Sequence, residues 1–162
     1  WPRAIGHTTE AMSTHTTSVR GLAAVLGISG LIPFIVLAGL CLGDTSSRGE
    51  YQSWLLVYAT SITSFVGAVH WGLALRAATA TRMHTLQLAW SVVPSLAAWA
   101  VAVSSEPPAA LVRMAIVLAI CWLTDAGFKR GGAIPAWYFR LRSVLTLVAT
   151  ASLALSGFAS AR

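Results

Sequence analysis

Few side chains of this sequence could carry out chemistry, and His70 is the first of them. It lies inside a long apolar run, where an ionisable side chain suggests a function such as proton relay or metal ligation. A haem held by two histidines needs a second buried histidine, and the other three fall in the N-terminal tail or in a polar connection: His7, His15 and His84. The alternative is structural, because a histidine near a helix end can bond a backbone carbonyl of a neighbouring helix. The sequence leaves both interpretations open.

Asp125, Arg140 and Arg142 are the other candidates. A carboxylate and a guanidinium can pair between two helices, so Asp125 could pair with Arg140 or Arg142. It could also pair with Lys129, four residues later, in the acid-before-base order that stabilises a helix. Together with His70, these residues form a predicted polar cluster. We expect no catalytic residue and no metal site, because Cys and His residues with metal-binding spacing are absent from the sequence.

The composition indicates which elements must position these residues. The chain has 162 residues, of which 56% are hydrophobic and 10% are charged, and its mean hydropathy is +0.72. A soluble domain carries roughly 25% charge, and a disordered chain is low in hydrophobic residues. Both classes are therefore excluded, and the sequence predicts an integral membrane protein.

Five apolar runs are long enough to cross a bilayer as helices, which requires about 20 residues each. The runs are continuous rather than alternating, which argues against the strands of a membrane barrel. We therefore predict an all-α bundle with five spans: Leu22–Leu42, Trp54–Leu75, Leu86–Val103, Ala109–Phe128 and Leu141–Phe158. The connections are short, so consecutive helices should be antiparallel neighbours.

The basic residues predict the orientation, because Lys and Arg concentrate on the cytoplasmic or matrix side of a membrane. Three of them fall on one side of the five spans, namely Arg48, Arg113 and Arg162. The other side has eight: Arg3, Arg20, Arg76, Arg82, Lys129, Arg130, Arg140 and Arg142. This puts the N-terminus on the inner side, and it puts the predicted polar cluster near the inner ends of the helices.

Residues 1–20 differ from the rest of the chain. They are rich in Ser and Thr, carry two arginines and resemble the end of an organelle transit sequence. We predict a polar tail here and a single transmembrane domain over residues 21–162. The net charge of +6 does not indicate a nucleic-acid partner, because the basic residues are scattered among the loops instead of forming a continuous basic surface. We expect no cofactor, although a bound lipid is possible in a membrane protein. Cys41 and Cys121 are predicted to lie at membrane depths too different for a disulfide.

Small residues recur every four positions along the second predicted span, at Thr60, Ser64, Ala68 and Gly72. This spacing lets helix backbones approach closely, so we predict a packing seam, either inside the bundle or toward a partner. Gly39 and Gly43 repeat the pattern in the first span. Aromatic residues near span ends are predicted to anchor the protein at the membrane surfaces: Trp54, Trp71, Trp90, Trp137 and Tyr138.

Four short motifs resemble the domain-of-unknown-function family 3429, the transmembrane protein 69-like proteins. In chain order they are Gly30-Leu31-Ile32-Pro33-Phe34, Gly67-Ala68-Val69-His70-Trp71-Gly72, Trp90-Ser91-Val92-Val93-Pro94-Ser95 and Pro135-Ala136-Trp137-Tyr138-Phe139-Arg140-Leu141-Arg142. The resemblance extends from about Leu22 to Phe158. It implies a small multi-pass protein of bacterial inner membranes or mitochondria, and it implies no reaction, ligand or catalytic residue.

Short loops and the lack of an evident active site favour a non-catalytic role. We expect an accessory subunit or assembly helper of a larger energy-transducing complex, respiratory or photosynthetic, in a mitochondrial or bacterial inner membrane. Its partners would be the lipid bilayer and other membrane subunits. The alternative is a small transporter or channel that uses the cluster around His70. A membrane enzyme that uses His70, Asp125 and Arg142 is the third hypothesis.

Overall fold

The structure is a computed structural model that describes residues 20–76 and 81–159. These residues form five helices and no strand, which confirms the predicted all-α class with five spans. The predicted polar tail, with Arg3, His7 and His15, lies outside the described residues apart from Arg20, as does Arg162. The helices are α1 (Arg20–Gly43), α2 (Arg48–Leu75), α3 (Arg82–Ser104), α4 (Pro107–Arg130) and α5 (Ala136–Phe158).

Local sequence signals set the helix boundaries. Thr81 caps α3, since its hydroxyl accepts from the backbone N–H of His84 while the His84 ring bonds the Thr81 backbone N–H in return. His84 is therefore in the first turn of α3 rather than in a connection. Pro107 opens α4, where a missing N–H does no harm. Gly132, with φ of +75°, supports the turn that follows α4.

Helix α1 is interrupted halfway. The regular α-helical hydrogen bonding is interrupted by a turn at Gly30 and Leu31, where the Leu31 N–H bonds the Ile28 carbonyl three residues back, and the helix resumes at Ile32, one residue before Pro33. Proline cannot donate a backbone hydrogen bond and prevents the helix from continuing unbent. Tyr58 of α2 donates its hydroxyl to the Gly30 carbonyl at 2.8 Å, so the interruption is held against the neighbouring helix.

The five helices form a closed ring in chain order, and α1 packs against α5 to close it. Helix α2 also contacts each of the other four helices. The core is apolar, with fully buried Phe34, Leu55, Leu111, Met114, Leu118 and Leu153. In contrast, many large apolar side chains point outward, as expected for a protein surrounded by lipid.

The bundle has two chemically different ends. One end, which we call the basic end, consists of the end of α2, the start of α3, the connection 131–135 and the start of α1. Its charged residues exposed in the described part of the chain are all cations: Arg20, Arg76, Arg82, Lys129, Arg130 and Arg140. Connections 44–47 and 105–106 and the last turn of α5 form the other end, which we call the capped end.

Two side chains of α2 hold the capped end together, and we call Arg48 and Gln52 the capping pair. Arg48 donates from Nε to the Cys41 carbonyl and from Nη1 to the Ala159 carbonyl, both at 2.9 Å. Gln52 donates to the Ser156 carbonyl at 2.6 Å. The last carbonyls of a helix have no partner within it and carry partial negative charge. The capping pair thus satisfies the ends of α1 and α5.

Glycines allow the closest backbone approaches. A Cβ added at Gly67 would collide with the Ser91 carbonyl oxygen and lie 3.2 Å from the Pro94 ring, so α2 and α3 touch there through their backbones. A Cβ at Gly157 would lie 2.8 Å from the Pro108 carbonyl oxygen, at the contact of α5 with α4. At Gly72, in the predicted seam, a Cβ would meet nothing within 4 Å.

Candidate functional site

Three ionisable residues from three helices meet inside the bundle near the basic end. His70 of α2 lies with Nε2 2.8 Å from Asp125 Oδ1, and Arg142 of α5 donates from Nε to Asp125 Oδ2 at 2.9 Å. Asp125 belongs to α4, so both of its carboxylate oxygens are occupied by residues of other helices. We call His70, Asp125 and Arg142 the triad.

The local sequence explains why the triad lies at one depth. Each member is five or six residues from the basic end of its own helix, which corresponds to roughly 8–9 Å at 1.5 Å per residue. All three side chains are buried, with exposures of 2% for His70, 1% for Asp125 and 7% for Arg142. The Phe128 ring packs at 4.9 Å from the His70 ring and helps to exclude water.

The charges of the triad balance within it. An isolated carboxylate or guanidinium in an apolar interior is costly, whereas a hydrogen-bonded pair is tolerated. Asp125 and Arg142 form such a pair, and the Asp125 carboxylate accepts from both neighbours. His70 therefore presents its Nε2–H to Asp125 and leaves Nδ1 as an acceptor. The triad as a whole is neutral when His70 is uncharged.

In the half of the bundle nearer the basic end, four buried polar atoms have no hydrogen-bond partner among the described residues. They are His70 Nδ1, Arg142 Nη2, Gln87 Nε2 and Thr146 Oγ1, and all four residues are at least nine-tenths buried. Buried polar groups are nearly always paired, so four unpaired atoms in one region are unusual. In particular, Arg142 and Thr146 lie one turn apart on the same face of α5.

A cavity of about 410 Å³ lies beside the triad, between α1, α2 and α5. Its walls are apolar almost throughout, and Arg142 and Thr146 are the residues that bring unpaired donors to it. Leu26 and Phe65 line it and are 63% and 69% exposed, so it opens to the surface between α1 and α2. Its volume is within the range of about 300–1,000 Å³ typical of small-molecule sites.

The predicted cluster is brought together only in part. Arg140 is exposed and faces away from the triad, because it lies two residues before Arg142 on the same helix. Lys129, the local alternative partner of Asp125, instead places its ammonium 4.7 Å above the Phe139 ring. Of the three pairings considered for Asp125, the structure contains the one with Arg142.

The residues of the predicted packing seam and the predicted aromatic anchors are all exposed or half-buried. In the predicted seam, Thr60 and Ser64 are half-buried, and Ala68 and Gly72 are exposed. Both hydroxyls bond carbonyls of their own helix. Close internal approach therefore occurs at Gly67 rather than at the seam, and a seam toward a partner stays a prediction. Among the predicted anchors, Trp54 and Trp71 are about half exposed, whereas Trp90, Trp137 and Tyr138 are half-buried.

The capping pair, Gln87 and Thr146 were not among the residues predicted from the sequence. Gln87 is an amide inside a predicted apolar span, so this signal was available in the sequence, whereas Gln52 lies before the predicted span that starts at Trp54. Thr146 offered none, because threonine is common in such helices and its hydroxyl normally bonds its own backbone. Across residues 20–76 and 81–159, no three His, Cys, Asp or Glu side chains are grouped to hold a metal ion. Cys41 and Cys121 are free thiols there.

Five long apolar helices with an apolar exterior and a buried ionic triad define a polytopic helical membrane protein. The family described as "Protein of unknown function (DUF3429)" matches residues 19–158, and the chain belongs to this family. The expected resemblance is thereby confirmed.

Two curated relatives carry the name transmembrane protein 69. The protein of Xenopus tropicalis is 34% identical over 135 residues, which cover 81% of this chain and 51% of that protein. The protein of Mus musculus is 29% identical over 128 residues, which cover 78% of this chain and 51% of that protein. The chain thus spans about half the length of the curated relatives it matches. No solved structure matches it.

Proposed function

We propose that the protein is a non-catalytic accessory subunit or assembly helper of a larger energy-transducing complex in a mitochondrial or bacterial inner membrane. The observation that carries this proposal is the outward face of α1 around Gly39 and Gly43. Both glycines are exposed, and a Cβ added at either would meet nothing within 4 Å. Two glycines four residues apart let another membrane helix approach to backbone contact.

The surroundings of these glycines support a protein contact. Ile32, Ile35 and Val36 are all more than half exposed on the same helix, so apolar side chains lie beside the glycines. On α2, exposed Ala68 and Gly72 offer a second face with the same spacing. Van der Waals packing at such small-residue faces stabilises helix association in lipid.

The connections between the helices also favour a subunit over an enzyme. They comprise residues 44–47, 76–81, 105–106 and 131–135, which is too little chain for a catalytic domain. The triad is also closed to a substrate, since both oxygens of Asp125 are already occupied and His70 is only 2% exposed. An acid or base must reach the proton that it transfers.

The basic end is proposed to face the cytoplasm or the matrix. Exposed cations at this end have no exposed acid beside them in the described ranges, whereas the capped end carries Asp44, Glu50 and Glu106. This asymmetry is the one expected from the preference of Lys and Arg for the inner side. It predicts that the N-terminus is on that side too.

The test is extraction of native membranes with a gentle detergent, followed by a native gel and mass spectrometry of the bands. We expect the protein to comigrate with a large complex. Replacing both Gly39 and Gly43 with leucine should release it, since the partner helix can no longer approach. Gly21→Leu is the matched control, because Gly21 is also exposed on α1 with nothing within 4 Å. Migration of the unaltered protein alone would contradict the proposal.

A transporter is the second candidate, and the buried triad is the observation that favours it. Ionisable residues inside membrane helices often mark ion or proton paths. Reconstituted in liposomes, the protein would then carry a proton or ion flux that His70→Gln abolishes and that Arg140→Gln leaves unchanged. An absence of flux of protons, ions and small metabolites would eliminate this candidate.

A further inference from the structure

We propose that the cavity between α1, α2 and α5 binds a neutral lipid with a carbonyl-bearing ring, of the isoprenoid quinone class, through Arg142 and Thr146. The site does not depend on the proposed function, because it lies on a different face of α1 from that of Gly39 and Gly43 and requires no partner protein. The proposal rests on the unpaired donors, on their charge environment and on their depth.

The donors define what the ligand must offer. Arg142 Nη2 carries N–H groups and no acceptor, and the Thr146 hydroxyl can donate as well. Neither atom has a partner among the described residues, and both side chains line the cavity. A donor left unpaired in an apolar interior is costly, so a ligand that brings acceptor oxygens is favoured here. Ketone oxygens meet this requirement.

The charge environment favours a neutral acceptor. Arg142 is already neutralised by Asp125 through the bond to Nε, so the site has no net positive charge when His70 is uncharged. A carboxylate or phosphate would add a second negative charge beside Asp125 in an apolar environment, which is strongly unfavourable. A carbonyl oxygen can accept from Arg142 Nη2 without this penalty.

The depth of the donors favours a head group that dissolves in hydrocarbon. At 1.5 Å per residue, Arg142 is about 9 Å and Thr146 about 15 Å from the start of α5. Since the hydrocarbon layer is about 30 Å thick, the Thr146 hydroxyl is close to its centre. A phospholipid head group stays at the surface and cannot present an oxygen there. A quinone ring is uncharged, so it can enter the hydrocarbon layer and present a carbonyl oxygen at this depth.

The shape of the cavity fits a flat ring with a tail. Phe34, Phe65 and Tyr138 are among the lining residues, and aromatic side chains pack well against another planar ring. The opening past Leu26 and Phe65 leads toward the lipid, so a tail longer than the cavity can continue into the bilayer.

The experiment measures binding of a radiolabelled benzoquinone with two isoprene units to the purified protein in phosphatidylcholine nanodiscs. Thr146→Val is the variant, since it removes only a hydroxyl that has no partner, and the fold should keep its stability. We expect it to bind the quinone about three- to tenfold more weakly, the effect of losing one hydrogen bond. The dimethoxybenzene analogue with the same tail lacks the carbonyls and should bind the unaltered protein more weakly.

The matched control is Thr150→Val on the same helix. The Thr150 hydroxyl bonds the Thr146 carbonyl at 2.7 Å, and the residue does not line the cavity, so its loss should leave quinone binding unchanged. Equal binding by the Thr146 and Thr150 variants would overturn the proposal. Preferential binding of palmitate would show a site for anions and would overturn it too. Failure of every probe to bind would also overturn the proposal, and the cavity would then be a packing gap that lipid chains fill.

Discussion

The two ends of the bundle differ in how their polar side chains find hydrogen-bond partners. Both must place polar side chains within a membrane protein. At the capped end, the capping pair donates to main-chain carbonyls at helix ends, and each bond satisfies a group that would otherwise lack a partner. Near the basic end, the triad places two full charges in the interior and leaves Arg142 Nη2 and His70 Nδ1 without a hydrogen-bond partner among residues 20–76 and 81–159.

The difference separates a purely structural arrangement from one with spare binding capacity. Each carbonyl at a helix end needs one donor, and no donor is left over once these carbonyls are paired. An ionic cluster with surplus donors is incompletely satisfied by the described residues, and this is costly unless something else completes it. The basic end is therefore where a ligand should act, and the capped end is where stability should depend on the chain alone.

The largest expected effect is at the triad. Arg142→Met leaves Asp125 buried without its cation, and we expect the free energy of unfolding to fall by about 3–5 kcal/mol. Denaturant-induced unfolding in mixed micelles measures this. Arg140→Met is the matched control on the same helix, and it should change the value by less than about 0.5 kcal/mol because Arg140 is exposed.

A double variant sharpens this result. Asp125→Asn combined with Arg142→Met leaves no unpaired charge, so it should lose less stability than Arg142→Met alone. If the double variant loses as much as the two single losses added, then the two side chains are not coupled and the description of the triad as one unit is wrong.

The next effect concerns the backbone contact that holds α2 against α3 in the half of the bundle that contains the triad. Gly67→Ala forces a Cβ against the Ser91 carbonyl oxygen, so the two helices must separate. We expect a loss of about 1–3 kcal/mol in thermal or denaturant unfolding. Gly72→Ala, on the same helix with open space around it, should be neutral or slightly stabilising. Equal losses for both variants would show that the contact at Gly67 is not tight.

A smaller effect is expected at the capped end. Arg48→Met removes the donors to the Cys41 and Ala159 carbonyls, and we expect a loss of about 1–2 kcal/mol. The loss is smaller than at the triad because the two carbonyls are neutral, so their loss of a donor leaves no unpaired charge in the interior. Arg113→Met, an exposed arginine near the same end, is the control. A loss as large as that of Arg142→Met would remove the proposed difference between the ends.

The smallest effect depends on pH and concerns Asp44 in the connection after α1. Hydrogen bonds from the Ser46 side chain and backbone, and then from Tyr51, lower the pKa of Asp44 from 3.8 to about 2. Because the pKa is lower in the folded protein, the contribution of Asp44 to stability is present above pH 4 and is lost as the pH falls through 2. Unfolding midpoints between pH 5 and pH 2 should fall less steeply for Asp44→Asn. An identical slope for the variant would falsify this assignment.

Much of the fold was predictable from the sequence because length and apolarity suffice for it. The predicted spans agree with the five helices to within a few residues at most ends, and the largest difference is at α2, which begins at Arg48 instead of Trp54. The reason is that a helix may continue beyond the apolar run when its polar residues have partners. Arg48 and Gln52 have such partners on α1 and α5.

The site was predictable in its depth but not in its partners. Counting residues from the helix ends indicated that His70, Asp125 and the arginines of α5 are near one surface. Asp125 pairs with Arg142 rather than Arg140 because of the rotation of α5 against α4. Residues two positions apart on a helix point in nearly opposite directions, so only one of the two arginines can face Asp125. Composition carries no information about that rotation. Composition also does not indicate that Gly67, and not Gly72, is the glycine at which α2 closely approaches α3.

By itself, the sequence determined that the chain forms membrane-spanning helices, how many there are and which end is basic, because these follow from local apolarity and charge. Only the tertiary structure decided that one carboxylate joins a histidine and an arginine from two other helices. It alone decided that Arg142 and Thr146 line a cavity with donors that are unpaired in the described part of the chain. The physical reason is that pairing in a bundle depends on the relative rotation and approach of helices distant in sequence, which are fixed by packing among all five at once.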